Sequence, residues 1–163
     1  MNLSTRTLAG VLLAAALAFP FPVSSQAHDP ATHRAHMGGA PDQRQPVAFP
    51  APLREHTLAN MRDHLLALTE IQEALAKADY DRAADLAEKR LGLSSLEAHG
   101  AHDVAPFMPK AMQDAGTAMH RSASRFALAA KDASASGDLR PALAALSQVG
   151  RTCVACHAGF RLQ

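Results

Sequence analysis

The chain has no tryptophan, a single tyrosine and an aromatic share of 4% over 163 residues. A core built from it must be rich in alanine, leucine and methionine, and it leaves apolar volume for a non-protein group to supply. An excess of one charge is lacking too, since 16 lysines and arginines stand against 15 aspartates and glutamates. That balance provides no electrostatic footprint for nucleic acid or an anionic membrane, and no strong steering of a charged partner. The one long apolar run, at 8–19, falls short of the ~20 residues that a membrane-spanning helix needs. Strand-like alternation, an acid–base pair, a nucleophile beside its base and a phosphate-binding loop are all missing, so no enzymatic activity is expected.

Cysteine is scarce as well, and the two present fall in one run, Cys153-Val154-Ala155-Cys156-His157. CxxCH is the attachment signature of c-type haem. Thiols three apart on a helix lie on neighbouring faces, so both can bond to the vinyl groups on one edge of a porphyrin while His157 falls beside the iron. A thioredoxin-like pair would need a βαβ surround, a structural zinc site would need further ligands, and a disulfide would close a tiny loop without using His157. One covalently bound haem c is therefore the expected cofactor, with Cys153 and Cys156 as anchors and His157 as axial iron ligand.

The N-terminus agrees with attachment outside the cytoplasm. Residues 1–27 read as a secretory signal, with Arg6 in a polar start, the apolar run, Pro20 and Pro22, and small residues before a cleavage site after Ala27. Removing the signal takes away Arg6 alone, leaves 15 charges of each sign, and predicts a periplasmic product without a membrane anchor. Residues 28–51 carry Pro30, Pro41, Pro46, Pro50 and Gly38-Gly39 without a periodic apolar face, which predicts a flexible leader. Its His28, His33, His36 and Met37 offer weak ligands for copper or nickel, against the plainer reading of a solvated tether.

Residues 52–163 carry a helical pattern broken at four places. Helices are predicted at about 53–77, 80–91 and 109–133, with a further turn at 93–102 and a last helix entered through Asp138 and Pro141. Leu58, Met61, Leu65, Leu68, Gln72 and Leu75 form the expected inner face of the first helix. Ala83, Ala84, Ala87 and Leu91 do so in the second, and Met112, Ala115, Met119, Ser122 and Phe126 in the third. In the last, Leu139, Leu143, Leu146, Gly150, Cys153 and His157 share one stripe, with Gly150 leaving room for a porphyrin or merely tolerated. Four helices with short connections predict an all-α fold, an antiparallel up-down-up-down four-helix bundle. Its order sets the start of the first helix across from His157.

An exported four-helix pattern ending in Cys153-x-x-Cys156-His157-x-x-Phe160-Arg161 resembles the cytochrome c prime family and its low-spin relatives over about 52–163. The resemblance implies a bundle that is often dimeric, with His157 as proximal ligand and the first helix lining the distal face. Members with an apolar distal residue bind NO or CO, and members with a distal Met carry electrons. The family often sets an Arg four residues before the distal position, and from Arg54 that spacing lands on Leu58, over an open site. Depth along the bundle fits Met61, one turn on, which is the expected sixth ligand, with Leu58 or His64 as alternatives. Arg54 is a candidate partner for a haem propionate, and Arg161, one helical turn after His157, for tuning the iron. Met108, Met112 and Met119 read as packing residues, and His99, His102 and His120 as surface or loop residues. The expected role is one-electron transfer to unidentified redox proteins, the alternative a binder of NO or CO.

Overall fold

A computed structural model describes residues 41–163. The signal and the leader histidines His28, His33 and His36 lie outside the described residues. The compact unit runs from Asp42 to Gln163. It is mostly helical: β1 (Gln45–Val47), α1 (Ala51–Ala76), α2 (Tyr80–Arg90), a short α3 (Ala101–Val104), α4 (Lys110–Ser136), α5 (Arg140–Gly159) and β2 (Phe160–Leu162), with 3-10 turns flanking α3. Among the described residues no helix is long and apolar enough to cross a membrane.

The helix ends follow from local chemistry. Pro52 sits in the first turn of α1, where its missing N–H costs nothing. The Asp79 side chain accepts from Arg82 N at 3.2 Å and so caps α2. Gly137, at φ +76, ends α4 in the left-handed conformation that glycine adopts without a Cβ penalty. Asp138 Oδ1 then accepts from Arg140 N at 3.1 Å and starts α5, with Pro141 in its first turn as expected.

One apolar cluster draws on all four long helices: Ala67, Ile71 and Leu75 from α1, Ala83, Ala84 and Ala87 from α2, Ala123 and Phe126 from α4, and Ala142 and Val149 from α5. So many alanines let the helix axes approach closely, and Phe126 and Ile71 fill the remaining volume. Arg90 at the end of α2 bridges Asp63 and Glu70 of α1. Backbone packing runs α1 to α2, α2 to α4 and α4 to α5, while α1 and α5 make at most marginal backbone contact.

Two expectations are corrected. The buried row of α1 is His64, Ala67, Ile71, Ala74 and Leu75; of the expected face Leu75 is buried and Leu68 packs at the edge of the cluster, while Leu65 is 68% exposed and Gln72 is exposed too. Alanines alternate with Ile71 and Leu75 on the inner face, the small side chains at Ala67 and Ala74 standing where the neighbouring helices are packed. Leu58, Met61 and Leu65 fall on the flank turned away from Asp63 and Glu70. Likewise Leu143 of α5 is exposed while Ala142 and Val149 are buried.

The second correction concerns strands. The chain turns extended at Phe160, and β2 pairs in parallel with β1, Gln45 beside Phe160, Pro46 beside Arg161 and Val47 beside Leu162. Arg161 is therefore not one helical turn after His157. The compact unit also takes in part of the stretch assigned to the leader, because Val47 and Phe49 bury their side chains in a second cluster with Val104 and Met112. Three-residue strands are too short for alternation to show, and their pairing partners lie at opposite ends of the sequence.

Candidate haem site and a histidine cluster

Cys153, Cys156 and His157 occupy the last turns of α5. Both cysteines are free and half-buried. Cys153 packs against the four-helix cluster, whereas Cys156 packs against the cluster around β1 and β2. The two thiols thus stand at the border between two apolar bodies. Burial pushes both thiols up, and Cys153 adds to the effect on Cys156. A redox-active CxxC needs the opposite, a thiol driven toward thiolate. His157 is exposed, and its charge acts on His64.

The α1 residues named from the sequence occupy one flank. Leu58 and Met61 are half-buried yet join neither apolar cluster, and Leu65 follows them one turn on. On α5 the stripe Leu146, Gly150, Cys153 and His157 borders the side not packed on α4, since Thr152, on another face, meets Ser122 of α4 at 3.4 Å. A Cβ built on Gly150 meets nothing within 4 Å. Met108 and Met112 pack in the cluster around β1, the packing role expected for them, and Met119 is buried.

Two guanidinium groups test the fit of an acidic porphyrin. Arg54 Nε is buried without a hydrogen-bond partner, and so is Arg161 Nε, which stands 3.4 Å from Asp42 Oδ2 without hydrogen-bond geometry. A buried N–H without an acceptor is costly, and a carboxylate such as a propionate would accept from it; Arg161 already has Asp42 as an ionic partner, so the unmet demand is greater at Arg54. Half-buried thiols, unclustered apolar side chains and orphaned guanidinium nitrogens are together compatible with haem c.

Sequence reasoning missed a group of histidines. His64 and His120 are buried, and His99, in a loop as expected, is half-buried, so His120 is not a surface residue, while His102 is exposed as expected. Ring centres stand 4.7 Å apart for His64 and His99, 5.3 Å for His99 and His120, and 6.2 Å for His64 and His120. His64 Nε2 is 3.4 Å from His99 Nε2. Burial is the main cause that lowers all three below the usual imidazole range, His64 to about 4, with His99 and His120 adding to the effect on His64. The signal was present in the sequence: His64 lies in register with Ala67 and Ile71, and His120 beside Met119 on the α4 seam.

Compared with protein-family models, with curated proteins and with solved structures, the chain finds no match.

Proposed function

We propose that the unit is the haem domain of an exported monohaem c-type cytochrome, an antiparallel four-helix bundle of the cytochrome c prime kind that carries single electrons. The observation that carries this reading is the setting of the CxxCH motif: two free, half-buried thiols at the border of two apolar clusters, in a unit whose α1 also carries apolar side chains that belong to neither. Haem c would supply a one-electron couple at its iron.

Cys153 and Cys156 would hold the group by thioether bonds, and His157 would be its proximal ligand. Leu58, Met61 and Leu65 would give the opposite wall, and shielding of that wall by apolar side chains keeps water from the metal. Met61 is the candidate distal ligand, because a thioether favours the reduced iron and closes the site to added ligands. Arg54 and Arg161 would receive the propionates, which resolves the unpartnered guanidinium nitrogens. Raised thiol pKa values support a structural use of the cysteines over a redox use.

The test is export of the full chain from a host with a c-type haem ligation system. Mass spectrometry of the denatured protein should find one haem bound, and Cys153→Ala with Cys156→Ala should abolish it. Ferric and ferrous spectra should be low-spin and unchanged by CO, and Met61→Ala should admit CO. A chain without covalent haem overturns the reading. A high-spin wild type that binds CO replaces electron transfer by gas binding over Leu58.

A further inference from the structure

We propose that His64, His99 and His120 form a binding site for one first-row divalent cation of the zinc(II) or copper(II) kind, separate from the CxxCH motif. The three rings come from three parts of the chain, α1, the loop before α3, and α4. Among the described residues the buried polar side chains are His64, His120, Ser95 and Ser122. Holding two buried imidazoles and a half-buried third together is unfavourable unless their nitrogens are used.

Hydrogen bonds fix two of the three tautomers. Ser95 Oγ donates to Gly92 O at 2.7 Å, so it can only accept from His99 Nδ1 at 3.3 Å. The His99 proton is therefore on Nδ1 and the Nε2 lone pair is bare. His120 Nδ1 donates to Leu91 O at 2.8 Å, which again leaves Nε2 bare. An imidazole whose far nitrogen donates to a fixed oxygen is the usual arrangement of a metal ligand.

The spacing fits as well. His99 Nε2 and His64 Nε2 are 3.4 Å apart, and two nitrogens bound to one tetrahedral zinc at ~2.0–2.1 Å stand about 3.3 Å apart. Without metal, His64 Nε2–H donates to His99; with metal, the His64 proton moves to Nδ1 and no net charge is released. Among the described residues no three donors already surround one point, so the third ligand, His120, would reach the ion by a tilt of its ring about the Nδ1–Leu91 O hydrogen bond, which is kept. His56 adds a fourth imidazole close by, its Nε2 buried without a partner and its charge acting on His99.

Electrostatics favour a cation. The carboxylate of Asp63 acts on both His64 and His99, raising the affinity of each for positive charge, although Arg90 shares that carboxylate. With the imidazoles held neutral, protons compete weakly at neutral pH.

The experiment uses the purified full chain and a variant carrying His28→Ala, His33→Ala and His36→Ala, which removes the leader histidines. After equilibrium dialysis against micromolar zinc(II), that variant should retain one zinc per chain, with iron counted separately. Adding His99→Gln and His120→Gln should weaken retention by at least about tenfold, with circular dichroism reporting the fold. X-ray absorption at the zinc edge of the leader variant should show three imidazole nitrogens at about 2.0 Å. No retained zinc, retention indifferent to the two substitutions, or a zinc edge with fewer than three imidazoles overturns the proposal. If the double variant fails to fold, the zinc-edge measurement alone decides. Because iron and zinc are read independently, loss of the haem reading leaves this test intact.

Discussion

Val47 lies beside Leu162 in the parallel pair of short strands, and Gln163 N donates to Val47 O at 3.1 Å. The segment entering α1 is thereby fastened to the segment leaving the CxxCH helix. Because Val47 is almost fully buried with Phe49, Val104 and Met112, its truncation to alanine leaves a hole at this junction. Val47→Ala should cost about 2 kcal/mol in urea unfolding, and Val47→Asp should cost more by burying an unpaired charge. A Val47→Ala variant with an unchanged urea midpoint would mean that the packing of this side chain adds nothing to stability.

The histidine cluster sets an acid limit on stability. His64 titrates at about 4 in the folded chain against 6.5 when free, so as pH falls through this window the unfolded chain takes up a proton that the folded chain refuses. Stability is complete above about 6.5 and is lost progressively down to about 4, where the His64 share is on the order of 3 kcal/mol. His99 and His120 are shifted in the same direction. Urea midpoints in metal-free buffer should fall between pH 7.5 and 4.5, and His64→Gln should flatten the dependence. Equal midpoints at the two pH values would refute it.

Arg90 is the polar clasp between α1 and α2. Its Nε donates to Asp63 Oδ2 at 3.1 Å while another nitrogen meets Glu70. The acidic partners are partly open to solvent, so the pairing is screened and worth less than a fully buried one. Arg90→Met should lower stability by about 1–2 kcal/mol, and raised salt should weaken the wild type more than the variant. Equal salt responses would assign Arg90 a packing role through its aliphatic stem.

Helix existence was legible because Pro52, Asp79, Gly137 and Asp138 punctuate the chain where the elements begin and end. Ala83, Ala84, Ala87 and Phe126 were legible as core because apolar residues recur there at helical spacing, with charged residues between them. The inner face of α1 was not. Leucine outweighs alanine in any apolar pattern, yet close helix approach selects Ala67 and Ala74 and leaves Leu65 outside. The motif Cys153-x-x-Cys156-His157 was legible as chemistry, whereas the cluster of His64, His99 and His120 was hidden because its members are separated by 35 and 21 positions and meet only through the fold.

Gly150 and Gly116 separate what the protein needs from what a haem needs. A Cβ at either position meets nothing within 4 Å, and both lie inside helices, where alanine is favoured over glycine by about 1 kcal/mol. In protein lacking haem, Gly116→Ala and Gly150→Ala should therefore each stabilise by about 1 kcal/mol, read from urea unfolding. In the haem-bound protein Gly116→Ala should keep its gain. Gly150, one turn before Cys153 on the same stripe, would face the porphyrin, so Gly150→Ala should lose the gain and shift the haem absorption. If both substitutions stabilise equally in both forms and the spectrum is unchanged, the haem does not lie along this stripe of α5.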